Sequence, residues 1–221
     1  MEIALNPIEA RILGALIEKQ MSTPDYYPLT LNTLVSACNQ KTNRDPVMNL
    51  DQAAVTGGLD SLRRQRLVWQ VKTQGSRSPK YEHNLKDVAE FSSSELGILC
   101  ELLLRGPQTA GELRVRSARL VEFGGLAAVE HTLQKLITHG KGPFAVELPR
   151  RPGHKENRFT HLFCALDLPA ELSEPSPAAP PEGGAAAETD RIAALEKTVA
   201  DLQRALAELR AQFLEFKQKF E

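Results

Sequence analysis

The sequence predicts a mostly helical α+β fold in which one plan is used twice, and three observations carry that prediction. The first is an ordered set of signals between Asn6 and His83: a capped amphipathic helix, a second helix opened by threonine, a third rich in leucine, and two β-type runs. The second is the recurrence of that order between Ser92 and Phe163. The third is a change of composition after residue 166, where large apolar side chains give way to Pro, Ala, Glu and Gly before a heptad pattern begins. Three helices followed by a β-hairpin is the plan of a winged helix-turn-helix. The expected organisation is therefore a winged-helix domain over 1–85, a second over 86–166, a disordered linker over 167–189 and a coiled-coil-like helix over 190–221.

Asn6-Pro7-Ile8-Glu9 supplies a capping side chain, a proline where the first turn tolerates one, and a glutamate at the third helical position. A helix is expected there, with Ile8, Ile12, Leu13, Leu16 and Ile17 on one apolar stripe, ending near Lys19. Met21 to Pro28 reads as a loop, where Tyr26 and Tyr27 suit turn packing better than stacking on a base. Thr30 can cap a second helix from Leu31 to about Asn39, with Leu34, Val35 and Cys38 inward. The polar connector Asn39 to Pro46 leads to a third helix from about Asp51 to Arg66, with Val55, Leu59 and Leu62 facing the core. Val68–Val71 and Lys80–His83 are β-type runs on either side of Lys72 to Pro79, a hairpin tip too polar for a core.

At these residues the chain resembles a known family. The block from Leu5 to Leu50, LNPIEARILGALIEKQMSTPDYYPLTLNTLVSACNQKTNRDPVMNL, with SRSPKYEHNL in the first hairpin, is similar to the YceH-like family of bacterial proteins of unknown function. The likeness is strongest over residues 4–85 and continues through GELRVRSARL to about Leu166, and CNQKTNRDPV (Cys38 to Val47) is its most distinctive stretch. The resemblance implies a tandem winged-helix fold. It brings no activity, substrate or catalytic residue with it.

In the second copy, Ser92 with Glu95 and Thr109 with Glu112 are both capping boxes, so two helix starts are marked in quick succession. Leu96, Leu99, Cys100 and Leu103 give the first stripe, and a third helix is expected from about Leu126 to Thr138 with Val129, Leu133 and Leu136 inward. The runs Phe144–Leu148 and Arg158–Phe163 flank a basic tip, Pro149 to Lys155. Beyond the linker, Ile192, Leu195, Val199, Leu202, Leu206, Leu209, Phe213, Phe216 and Phe220 alternate spacings of three and four, a heptad seam that can join this chain to itself or to another protein. A parallel dimer finds no opposite charges at its flanking positions, whereas an antiparallel one sets Glu196 against Lys217. A helix folding back on an apolar surface is the alternative.

The net charge of −1 conceals an uneven distribution. Residues 1–85 hold 10 Lys/Arg against 8 Asp/Glu, residues 86–166 hold 11 against 9, and the remainder holds 6 against 11. A mild basic bias in the repeated part permits contact with nucleic acid without requiring it. Winged helices commonly place the third helix in the major groove of DNA and the wing on phosphate. The candidate phosphate contacts are Lys41, Asn43 and Arg44 in the connector, Arg63 and Arg64 on the third helix, Lys72 and Arg77 in the first wing, and Arg150, Arg151 and Lys155 in the second. Against this reading, Asp60 and Glu130 put an acid on each third helix, and Gly57-Gly58 offers little to a base edge and fits close helix packing as well.

Two functions follow as expectations: low-specificity duplex DNA binding through wings and connector, or a protein-interaction scaffold that uses the winged-helix faces and the heptads without DNA. No enzyme is expected, and no cofactor, metal or catalytic residue. His83, His131, His139, His154 and His161 make no zinc-type spacing with the cysteines, and neither a phosphate loop nor a nucleophile elbow is present. Cys38, Cys100 and Cys164 lie among apolar residues far apart in sequence and read as reduced core thiols. With no signal-like start and no apolar run of membrane length, the expected location is the cytoplasm.

Overall fold

The computed structural model describes residues 4–72, 78–150 and 156–164, all within one compact unit, Met1–Leu172. The linker, the heptads from Ile192 to Phe220, and Arg77, Arg151 and Lys155 at the hairpin tips lie outside the described residues. The described part is α+β, with six α-helices and small antiparallel sheets.

Helix α1 (Pro7–Ser22) begins where the sequence places it. The Asn6 side chain accepts from the Ile8 and Glu9 amides, and the Glu9 carboxylate accepts from the Asn6 N–H at 2.8 Å. The helix continues past Lys19 to Ser22, and the chain then turns into a short strand β1 (Leu29–Thr30) that the loop-like sequence does not announce. Thr30 caps α2 (Leu31–Cys38), and Asp51 caps α3 (Gln52–Arg64). Helix α3 stops short of Arg66, whose backbone turns left-handed (φ 60°) to enter the hairpin β2 (Val68–Val71) and β3 (Lys80–His83). Strand β3 lies between β1 and β2.

The second copy repeats this order with α4 (Ser93–Arg105), α5 (Ala110–Ser117), α6 (Leu126–Ile137), β4 (Ala145–Leu148) and β5 (Arg158–His161). Both expected capping boxes close, at Ser92 with Glu95 and at Thr109 with Glu112. The copies agree down to strand register: Val68 pairs with His83 as Ala145 pairs with His161. Likewise Leu29 pairs with Tyr81, and Gln108 bridges to Phe159.

The two copies share one core. Helices α1 and α4 form the most extensive helix pairing, and α2 and α3 pack on α1 while α5 and α6 pack on α4. Every residue of α1 from Glu9 to Glu18 is buried, as is every residue of α4 from Gly97 to Leu104. A helix buried all round belongs inside a larger body. The hydrophobic cluster accordingly runs without a break from Ile12, Leu16 and Leu59 to Leu102, Leu133 and Phe163. The Leu5 N–H donates to the Phe163 carbonyl at 2.6 Å and ties the start of the first copy to the end of the second. The sequence boundary near residue 85 separates two repeats without separating two cores.

Gly14 sets how closely α1 and α4 approach: a methyl group there would sit 2.9 Å from Leu104 Cδ2 and 3.1 Å from Leu103 Cβ. Of the two α3 glycines, a methyl group added at Gly58 would sit 2.5 Å from Ile12 Cδ1, whereas one at Gly57 would have open space. Gly14→Ala is expected to destabilise the fold by about 1–3 kcal/mol through overpacking. Gly57→Ala, relieved of glycine's backbone entropy, is expected to stabilise it by up to about 1 kcal/mol. Urea midpoints of the two variants that move in the same direction would refute this assignment.

Cys38 and Cys100 are buried free thiols and Cys164 is a half-buried one. Burial pushes the Cys38 thiol up to about 12, so it is inert as a nucleophile at neutral pH. No helix among the described residues is long and apolar enough to cross a membrane.

Candidate nucleic-acid interface

Each hairpin leans over the starts of two helices and leaves a groove in the same place in both copies. In the first, Thr30, Leu31 and Asn32 at the start of α2, Gln52 at the start of α3, and Ser78, Pro79 and Tyr81 of the hairpin line it. In the second, Ala110 and Gly111 at the start of α5, Leu126 and Glu130 of α6, and Glu147, Arg150, Glu156, Asn157 and Phe159 do so. Helix starts carry partial positive charge and suit anions. Among the described residues, the lining of the first groove is uncharged and rich in hydrogen-bonding side chains. The second, again among the described residues, carries three carboxylates and one guanidinium.

The structure distributes the sequence candidates unevenly. Lys72 follows β2 directly, one residue beyond the Val71–Lys80 pair of the hairpin, and is exposed, though it is not among the residues lining the first groove. Arg150 is exposed at the second groove, between Glu147 and Glu156 among its lining residues. Arg63 and Arg64 occupy the last turn of α3, about 18 Å along the helix axis from Gln52 at 1.5 Å per residue. Arg63 is also paired with Asp60 at 3.1 Å. Lys41 is exposed on the connector, and none of Lys41, Arg63 and Arg64 is among the residues lining these two grooves.

Of the connector candidates, Arg44 is corrected by its burial and Asn43 is drawn into a bond within the fold. Arg44 is 5% exposed, with its guanidinium on the Glu18 carboxylate at 2.5 and 3.1 Å and on the Ala37 carbonyl at 2.8 Å, so it cannot reach a phosphate. Asn43 takes the left-handed backbone that asparagine tolerates (φ 57°), and its side-chain oxygen accepts from Arg105 at 2.8 Å. The distinctive Cys38 to Val47 segment is in fact an internal fastening. Arg11 of α1 donates to the Cys38 carbonyl at 3.1 Å and to the Pro46 carbonyl at 2.6 Å, and the Asp45 N–H donates to the Leu104 carbonyl at 3.0 Å. Asn39 holds both backbone groups of Leu50 at 2.7 Å, which fixes the approach to α3.

Around Glu18 these bonds become a buried ionic circuit. Arg119, in the loop between α5 and α6, reaches Glu18 at 2.5 Å and Glu101 of α4 at 2.7 Å, and Arg105 stands 3.5 Å from Glu101. Burial alone would raise the Glu18 carboxyl, but the hydrogen bonds and charge of Arg44, with Arg119 beside it, hold it below the ordinary carboxylate range. At Glu101 burial prevails over Arg119 and Arg105, and its carboxyl is raised. Sequence reading missed this circuit, although Arg11, Glu18 and Glu101 standing inside apolar helical runs were its signal.

Tyr27 packs as expected, its phenol oxygen accepting from the His83 N–H at 2.7 Å, while Tyr26 is 77% exposed. His83 and His161, at equivalent ends of β3 and β5, are both depressed to about 4 by burial, with the charge of Lys86 adding to the effect at His83. No group of three or more His, Cys, Asp or Glu among the described residues is placed to hold a metal ion.

Fold and grooves together define an α+β protein made by internal repetition, two three-helix-and-hairpin units fused through one core. Residues 5–154 match a family described as a protein of unknown function, DUF480. A UPF0502 protein of Geobacter sulfurreducens is 50% identical over 100% of both chains, and one of Aeromonas hydrophila is 47% identical over 93% of this chain and 94% of its own. Another, from Koribacter versatilis, is 46% identical over 91% of this chain and 92% of its own. The chain belongs to this DUF480/UPF0502 family of uncharacterised bacterial proteins, which bears out the resemblance seen in the sequence.

Proposed function

We propose that the chain is a tandem winged-helix protein whose first copy binds the backbone of duplex DNA with low sequence specificity, as a binding protein of the cytoplasm and not an enzyme. The observation that carries this reading is the contrast between equivalent grooves. Among the described residues the first is lined by Thr30, Asn32 and Gln52 at two helix starts and by Ser78 of the hairpin, the neighbouring Asp51 carboxylate being engaged as the cap of α3, and Lys72 is exposed at the end of β2. The second is lined by Glu130, Glu147 and Glu156, which repel phosphate. In the winged-helix mode the third helix enters the major groove and the wing touches phosphate. Exposed Ala53 and Gly57 on α3 give base edges little to bond, which favours backbone contact over sequence readout.

The test is fluorescence anisotropy with a mixed-sequence duplex across a salt series, beside Lys72→Ala/Arg77→Ala. The parent should lose affinity steeply with salt, and the variant's log–log slope should be shallower by about 0.9 per lost phosphate contact. Absence of binding by the parent at low salt would sink the reading. The second copy favours a different task. Its acid-lined groove, with Leu126 43% exposed on the lining, suits a protein partner, which should copurify at moderate salt.

A further inference from the structure

We propose that Glu18 is a positioning residue shared by both copies: one buried carboxylate holds the two loops that lead into α3 and α6, so that the grooves are presented by a single rigid body. The functional consequence rests on the DNA-binding reading above, whereas the coupling itself does not.

The geometry is a closed circuit across the repeat boundary. Arg44, in the loop before α3, and Arg119, in the loop before α6, meet the same Glu18 carboxylate, each at 2.5 Å. Arg119 continues to Glu101 at 2.7 Å, Glu101 to Arg105 through an ion pair at 3.5 Å that makes no hydrogen bond, and Arg105 to the Asn43 side chain at 2.8 Å. Asn43 adjoins Arg44, so the path returns to its start. Each loop is therefore fastened to a helix of the other copy: Asn43 to α4 through Arg105, and Arg119 to α1 through Glu18. The first loop passes its position on through Asn39 and Leu50 to the start of α3, where Gln52 lines the first groove. Glu18 is 1% exposed, so water cannot replace the carboxylate if it is lost.

The experiment uses the full chain with Glu18→Gln, which keeps the shape and one acceptor and removes the charge. Hydrogen–deuterium exchange is followed in peptides covering 39–51 and 118–125. The expected result is that both loops exchange about tenfold faster or more while β4 and β5 keep their protection. A response in one loop only, or in neither, overturns the proposal. The duplex affinity of the variant is expected to fall about tenfold. Leu136→Ala, a core change in the second copy, serves as a control of lowered stability and should bind as the parent does. Equal affinity of Glu18→Gln and parent overturns the positioning role.

If the parent does not bind the duplex, the DNA reading fails, and the exchange measurement still decides the coupling. If Glu18→Gln does not fold, Arg119→Gln takes its place, since that side chain is 28% exposed and its loss is milder. Exchange should then rise in 39–51 as well as in 118–125, and a rise confined to 118–125 overturns the shared role.

Discussion

Arg44→Ala is expected to lower the unfolding free energy by about 3–5 kcal/mol, the range for stripping one partner from a buried ion pair. The side chains of Arg44 and Glu18 are 0% and 2% exposed, so the loss leaves a carboxylate that water cannot solvate, with Arg119 at 2.5 Å and Lys19 at 3.9 Å as its remaining partners. The Ala37 and Asn43 carbonyls lose their guanidinium donors in the same change. Urea unfolding followed by the fluorescence of Trp69, the single tryptophan, measures the loss. Lys41→Ala, at an exposed site on the same connector, should stay within about 0.5 kcal/mol of the parent. In a double-mutant cycle with Glu18→Ala, the double variant should lose clearly less than the sum of the two single losses. A loss below about 1 kcal/mol for Arg44→Ala would mean that the guanidinium is solvated, and would return it to the surface as a phosphate contact.

The elements were legible because their boundaries are written locally. Asn6, Thr30, Ser92 and Thr109 are all side-chain caps, and each begins the helix that its spacing announces, while Asp51, read as the first residue of the third helix, is its cap. The hairpin arms follow in the same way from short β-type runs around polar tips. What lies between copies was not legible, because a period shows which residues are apolar and not how many partners a helix has. The stripe of α1 was read as one buried face, whereas α3 and α4 cover it from different sides and bury Arg11 and Glu18 as well. The same limit misplaced Arg44. A basic residue in a polar connector has the composition of a surface loop, and only the fold brings the Glu18 carboxylate over it. At the grooves, Thr30 was legible as a cap but not as a lining residue, since β1, which pairs it with Lys80 of the hairpin, carries no strand signal. Arg63 and Arg64 have the right chemistry for phosphate, but their place in the last turn of α3 puts them at the far end from the groove.

The second large effect is on acid stability. His83 and His161 titrate at about 4 in the fold against 6.5 when free, because burial disfavours the charged ring. His161 accepts the Phe163 N–H at Nδ1, and His83 bonds Gln20 through Nε2, so both rings are held neutral inside. The unfolded chain therefore binds protons near pH 6.5 that the folded chain refuses until about pH 4. Stability from this source is fully present above pH 6.5 and falls as the pH drops between those limits, by about 3 kcal/mol for each histidine. Glu18, whose carboxyl is depressed, loses its contribution in the same direction at still lower pH, whereas the raised Glu101 binds its proton more tightly when folded and opposes the loss. Above pH 5 free carboxyls are mostly ionised, so there two histidines work against the single raised carboxyl of Glu101. Between pH 6 and 5 the unfolding free energy should thus fall with a net slope between about one and two protons, and His161→Asn, which keeps an acceptor for Phe163, should lower that slope by about one. A parent slope below one proton would show that the two rings are reached by water and that the hairpin ends are looser than their pairing implies.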